Sequence, residues 1–426
     1  MKPGIAFTGW SCPLALQNYT HIVMAHGGGG RLSADLVAHL ILPALGGRDV
    51  EALGDSTVVP PIRGRLALTT DSYVVKPIFF PGGSIGELAV NGTVNDLAMA
   101  GARPLYLTAG LILEKGLPLA TLAEVVGRMG EAARLAGVRI VAGDTKVVGK
   151  GQADGVFINT AGVGEMREEV QLNPAGAKPG DVVLISGTIG DHGMTILSVR
   201  EQLEFFGLLE SDCAALHGLT EVRFSAAGGS DAVHVMRDPT RGGLAASLNE
   251  IALSSRVGIE IQESLVPIAV PVRAACEILG FDPLHVANEG RLVAIVAAKL
   301  AGALLDLMRH HPLGSGGRRI DPKLPIRCQH RDPAPVSGHR GMSYHPRRRQ
   351  RHRGLRPPQR MPIDPQPPRV WSSQRKHILP VRIKRYPLIL KPPPRQILHR
   401  STPHRSQTQP RPSARPRQQR MTAVRR

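Results

Sequence analysis

Between His21 and about Gly164 the chain alternates short β-branched runs with longer stretches of helical period, and this alternation restricts its fold more than any other feature. HIVMAHGGGG opens like a strand and runs into a glycine cluster. SADLVAHLILPAL follows, with Ser33 placed as an N-cap and apolar residues at helical spacing. RLALTTDSYVV (65–75) reads as a strand, and SIGELAVNGTVNDLAMAGA as a helix whose apolar face carries Ile85, Leu88, Ala89, Val94, Leu97 and Ala98. PLYLTAGLIL is strand-like, LPLATLAEVVGRMGEAARLAGV is a long amphipathic helix, and VRIVAGDTKVV is a further strand. Such a succession predicts an α/β (α+β) layer with mixed sheets and packed helices. NPAGAKPG at 173–180 is turn-rich and reads as a linker. Beyond it DVVLISGTIGDHG, DPTRGGLAASLNEIALSS, GIEIQESLVPI, VRAACEILG and LVAIVAAKLAGALLDLMRHHPLG build a second α/β unit.

After Gly314 neither period survives. Residues 315–426 hold 20 of the 36 prolines, and 29 Lys and Arg against three Asp and no Glu. Residues 1–314 carry 24 Lys and Arg against 31 Asp and Glu, so the formal charge of +19 belongs to an appendage on a mildly acidic body. A segment of this composition cannot bury enough apolar surface to offset its ordering entropy, and a disordered basic tail is expected. Its Arg, Pro, His, Gln and Ser, without interleaved aromatics, match a GC-rich gene read out of frame. Nucleic-acid binding through the tail, weakening steeply with salt, is the alternative. The expected boundaries are an extension at 1–19 ahead of the true start, a first domain at 20–165, an incomplete second domain at 178–314, and the tail at 315–426. Four cysteines without a CxxC pair argue against a zinc site or a disulfide framework and fit reduced thiols in the cytoplasm. No apolar stretch reaches the roughly 18–20 residues of a membrane helix, and the N-terminus is too broken for a signal peptide.

Three aspartates interrupt this pattern. Asp71 sits mid-strand among Thr69, Thr70 and Ser72, a costly place for a carboxylate without a partner. Asp96 follows Asn95 in NGTVNDLAMAGA, and Asp144 precedes Thr145 and Lys146 in VAGDTKVV. Taken singly, Asp71 reads equally as a turn former, Asp96 as a helix-start residue and Asp144 as a turn cap. Brought together, three carboxylates repel, and a hard cation with bound phosphate resolves the repulsion. Lys146 would then act as a point charge on the phosphates. The run Gly27, Gly28, Gly29 and Gly30 lacks the lysine and hydroxyl spacing of the familiar phosphate loop. His192 in GDHG is either a turn residue or a catalytic one. Arg237, Asp238 and Arg241 in RDPTRGG open a helix and face either an anion or a salt bridge. Cys276 lies on an apolar helix face and reads as core.

In their order, HGGGGRLSADL, TTDSYVVKPIFFPGGSIGELAVNGTVNDLAMAGARPLYL, VAGDTKVV, GTIGDHG, RDPTRGGLA, LNEIA and CEILGFDPLHVANEG resemble the hydrogenase-maturation HypE family. That family lies in the superfamily of aminoimidazole ribonucleotide synthetase, selenophosphate synthetase and thiamine-phosphate kinase. The resemblance covers about residues 20–312. It implies a two-domain aminoimidazole ribonucleotide synthetase-like fold, a homodimer with paired N-terminal sheets, and ATP with Mg2+ as ligands. It implies that Asp71, Asp96 and Asp144 hold metal, and that these residues with Asn95, Thr145 and Gly27–Gly30 bind nucleotide. Lys146 and His192 are then the catalytic candidates, and Glu289 in ANEG belongs to the same cleft. By the same resemblance a C-terminal cysteine, ending a Pro-Arg-Ile-Cys tail, takes a carboxamide from the carbamoyltransferase HypF. ATP-dependent dehydration makes a thiocyanate whose cyanide goes to iron on a HypC–HypD scaffold. This chain ends otherwise: LPIRC at 324–328 lies within the aberrant segment and is a chance likeness, so the acceptor is expected to be missing. A selenophosphate synthetase-like enzyme is the alternative of the same class, and it would have to use Cys12.

Overall fold

The computed structural model describes residues 16, 18–46, 54–168, 170, 172–203, 208–221, 232–321 and 381–384. The expected extension therefore lies mostly outside the described residues, as do Cys12 and Cys328. Leu16 is an exception: it is fully buried in the first core, and Tyr19 packs edge-on against His26.

Helix α1 (Arg31–Leu36) runs on through a π turn at Val37–Ile41 into Leu42–Ala44. Its N-cap is Gly30 rather than Ser33. Ser33 lies inside the helix, and its hydroxyl accepts from Gly29 N (3.0 Å) and donates to Ala25 O (3.2 Å), so it staples the glycine run instead of capping the helix. Strand β1 (Leu66–Tyr73) comes next, then the short hairpin β2 (Phe79–Phe80) and β3 (Gly83–Ser84). Helix α2 (Ile85–Met99) starts where the Ser84 hydroxyl accepts from Glu87 N at 3.5 Å. Then come β4 (Ala102–Glu114), α3 (Leu119–Leu135), β5 (Arg139–Val148) and β6 (Val156–Met166).

The first sheet has the order β1-β6-β4-β5, with only the β4–β5 pair parallel. One face is covered by α2 and α3, and Leu107, Leu111, Leu113, Ile158, Leu122, Val126 and Met129 close the core there. Because α2 lies between the sheet and α3, it is buried nearly all round. Glycines make that depth possible: a Cβ at Gly86 would overlap the Val125 carbonyl of α3, and one at Gly92 the Tyr73 hydroxyl.

The second domain has β7 (Val182–Ile185), α4 (Asp191–Arg200), β8 (Val233–Arg237), α5 (Gly243–Ser255), β9 (Ile259–Gln262) and α6 (Val270–Leu279). It continues with β10 (Val293–Val296), α7 (Ala301–His310) and β11 (Arg318–Arg319). Its antiparallel sheet runs β11-β7-β10-β8, every residue of β7 and β10 is buried, and apolar clusters cover both faces. Order therefore continues past Gly314. Ile320 is fully buried, and the Asp321 carboxylate accepts from Val183 N (3.1 Å) while pairing with Arg319. Strand β9 takes a parallel partner, β12 (Val381–Lys384), so these four residues of the expected disordered tail are paired.

Candidate active site

Asp71, Asp96, Asp238 and Glu289 line one cavity of about 700 Å³ between the two domains. Strand alternation aims Asp71 at it. Along β1, Ala67, Thr69, Asp71 and Tyr73 turn toward the helices, while Leu66, Leu68, Thr70 and Ser72 turn to the opposite, exposed face. Asp71 Oδ1 accepts from Ser72 N (2.8 Å), and Asp96 Oδ2 accepts from Thr69 Oγ1 (2.7 Å). Burial pushes the Asp96 carboxyl up; the Thr69 hydroxyl opposes that shift and the Asp71 charge adds to it. Asp238 is pushed up to about 7, by burial first and by Asp96 next. Glu289 is raised well above the ordinary carboxyl range by burial and then by Asp238, Asp212, Asp71 and Asp96. Two domains thus bring four carboxyls to one cavity, where burial and mutual repulsion raise Asp96, Asp238 and Glu289.

His192, at the start of α4, lies in the same wall, its Nδ1 2.8 Å from Ser211 Oγ and its ring edge-on to Phe80. Burial lowers its pKa to about 4, so the ring is neutral at physiological pH. Arg241 also lines the cavity, whereas Arg237 turns away to pair with Glu250 at 2.7 Å.

A second group forms around β5. Gly27 is pressed on that strand so closely that a Cβ would come within 2.6 Å of Val147 N, and Gly29 has a φ of +76°. Asp144 Oδ1 accepts from Thr145 N (2.9 Å), and Lys146 Nζ lies 3.6 Å from Asp144 Oδ2, both side chains being exposed. Beneath the glycines His26 is fully buried. Its Nδ1 accepts from Val23 N (3.0 Å), so Nε2 carries the proton, and that donor has no partner among the described residues.

The three aspartates do not converge within the chain. Cross-strand pairing puts Asp144 opposite Gly110, Gly110 opposite Asn159 and Asn159 opposite Ser72, so all four share the sheet face away from Asp71. Lys146 lies on that face too, outside the cavity, and Thr145 turns the other way. The expected single cluster of Asp71, Asp96 and Asp144 is thereby corrected to two carboxylates in the cavity and one beyond the sheet. Among the described residues no three metal-ligating side chains are grouped. Asp71 and Asp96 still suit Mg2+, which takes one or two carboxylates and completes its shell with water and phosphate. The repulsion that Asp71 adds to Asp96 is what such a cation relieves.

Asn95 is a second correction. It is 1% exposed, does not line the cavity, and has no polar atom left for a nucleotide. Its Nδ2 donates to Ala214 O (3.0 Å) and Glu289 O (3.2 Å), and its Oδ1 accepts from Leu216 N (2.7 Å). Sequence reasoning also missed Asp212, whose carboxylate accepts from Glu289 N (3.1 Å) and Gly290 N (3.2 Å) beside Arg291. A lone aspartate in an aperiodic stretch offers no pattern that could have revealed it.

Fold and cavity together define a protein of the AIR synthase related class. Its N-terminal domain description fits residues 54–166 and its C-terminal domain description residues 178–315. The carbamoyl dehydratase HypE of Cupriavidus necator is 51% identical over 318 residues, covering 74% of this chain and 90% of that protein. A crystal structure of the hydrogenase maturation protein HypE in complex with ATP is 48% identical and superposes with a TM-score of 0.67, covering 70% of this chain and 88% of that one. HypE in a HypE–HypF complex is 48% identical with a TM-score of 0.59, covering 68% and 92%. The chain belongs to the HypE family of hydrogenase maturation proteins.

Proposed function

We propose that the chain is an ATP-dependent carbamoyl dehydratase that converts a cysteine thiocarboxamide to a thiocyanate during hydrogenase maturation. Half-identity to carbamoyl dehydratases across both domains supports the reaction, and the observation that carries it is the four-carboxyl cavity at their junction. An amide oxygen is a poor leaving group until it is phosphorylated. In the net reaction the carboxamide oxygen takes the terminal phosphoryl group of ATP and ADP leaves. Nitrogen then gives up its protons, and the carbon–oxygen bond breaks to release phosphate and leave C≡N.

The work asked of this chain is to place the amide and remove its protons. Asp238, pushed up to about 7, is matched to proton exchange at neutral pH, and Glu289, raised by burial, shares its cavity. Neutral His192 orients through Ser211. Asp71 and Asp96 would hold Mg2+, which supplies charge neutralisation on the phosphates. Asp144 and Lys146 would meet the nucleotide from the far sheet face, and Gly27–Gly30 and Thr145 along the β5 edge. That arrangement fits a homodimer in which a second copy closes the exposed face. HypF as carbamoyl donor, a HypC–HypD complex as cyanide recipient and a cytoplasmic setting complete the proposal. Among the described residues no helix is long and apolar enough to cross a membrane. The described thiols are unsuited as acceptor: Cys213 and Cys276 are buried, the first pushed far up and the second up to about 11.

The test supplies a synthetic peptide ending in S-carbamoylcysteine with ATP and Mg2+. Mass spectrometry is expected to find the peptide one water lighter and one ADP per product, and Asp96→Asn to abolish both. ATP consumption without loss of water from the peptide contradicts the proposal.

A further inference from the structure

Two buried asparagines hold Glu289, one from each domain. Asn288 is fully buried and spends its whole carboxamide on three loops. Its Oδ1 accepts from Gly190 N (2.8 Å) at the head of the helix that carries His192. Its Nδ2 donates to Pro239 O (2.8 Å), next to Asp238, and to Val286 O (3.1 Å). From the first domain Asn95, the neighbour of Asp96, donates to Glu289 O, while Asp212 takes the N–H groups of Glu289 and Gly290. Neither asparagine faces the cavity, yet every element that brings a carboxyl or imidazole into it from the second domain is tied to one of them.

We propose that Asn288 and Asn95 are positioning residues that keep Glu289 in register with Asp238, His192 and Asp96. The inference deepens the dehydratase reading and rests on it. Fully satisfied buried amides rigidify the loops they join. Deleting one leaves loop groups unpaired and lets Glu289 drift from the atom whose proton it must take.

The full chain is assayed on the S-carbamoylcysteine peptide as Asn288→Ala and Asn95→Ala. A 1 Å misplacement can cost about 10²-fold in rate, so kcat is expected to fall by about that factor. The KM for ATP should stay unchanged for Asn288→Ala, because no hydrogen bond of Asn288 reaches Asp71, Asp96, Asp144, Lys146 or the glycine run. A folded variant with unchanged kcat overturns the proposal. So does a variant in which kcat, ATP KM and the melting transition fail together, since that marks a merely structural role. If the unsubstituted chain converts no peptide, the dehydratase reading falls by itself and amide hydrogen exchange decides the positioning claim. Asn288→Ala should then quicken exchange at Gly190, Glu289 and Gly290 and leave β1 and β6 as they were. Unchanged exchange at those three, or a rise throughout the chain, overturns it. Asn288→Asp keeps an oxygen toward Gly190 N and serves, with the same outcomes, where the alanine variant does not fold.

Discussion

Burial decides the protonation of His192 and of the carboxyls opposite it in contrary senses. The imidazole titrates near 4 in the folded chain against about 6.5 unfolded, so the folded state binds fewer protons between those values and loses stability as pH falls through them. Asp238 behaves inversely. Its folded value of about 7 lies above the unfolded one, so the folded state binds more protons and stability falls as pH rises from about 4 toward 7. Asp238→Asn should therefore raise the unfolding free energy measured in urea at pH 8 by about 1–3 kcal/mol, with the gain fading toward pH 4. A gain equal at both pH values would show that Asp238 is not held protonated by the fold. Of these residues, Asp71 and Asp96 were legible as carboxylates lodged in apolar elements. Asn95 was read as a ligand because an amide beside a catalytic-looking aspartate shows nothing of which carbonyls it will meet. Its partners lie more than a hundred residues away.

At the scale of elements, α2 depends on close backbone approach. Gly86→Ala would drive a methyl group into the Val125 carbonyl, where only backbone movement can relieve it, and should cost about 1–3 kcal/mol. Gly30→Ala, with nothing within 4 Å of the added carbon, should change stability by less than about 0.5 kcal/mol. Calorimetric melting of both variants checks the contrast, and equal losses would contradict the packing described for α2. Periodicity made α3, β4 and β5 readable, because each has one face against a core. It could not show that β9 pairs with residues 381–384, since a strand's partner is set by topology and not by its own period. The start of α1 was misread for a related reason: Ser33 has the chemistry of a cap, but its hydroxyl is claimed by the glycine run before it.

At the scale of the molecule, one face of the first sheet has no covering layer among the described residues, and on it Leu66 and Leu68 are 53% and 73% exposed. Apolar side chains on the face that also carries Asp144 and Lys146 mark it for association, and a second copy of the chain is the proposed occupant. Leu68→Lys should leave the melting temperature nearly unchanged, because the side chain is exposed. It should also give a monomer by sedimentation and abolish ATP-dependent turnover. The same sedimentation coefficient as the unsubstituted chain would refute the dimer. The two-domain plan was readable from the alternation, and so was the break in composition after Gly314. Order from Ser315 to Asp321 was not, for it depends on Asp321 reaching Val183, 138 residues earlier in the chain, and on Ile320 being buried there.

The most direct measurement follows the oxygen. A peptide with an 18O-labelled S-carbamoyl group is turned over in unlabelled water with ATP, and the phosphate released is weighed by mass spectrometry. Activation of the amide oxygen predicts one 18O in each phosphate formed; unlabelled phosphate, with the label left in the peptide or passed to water, would contradict it.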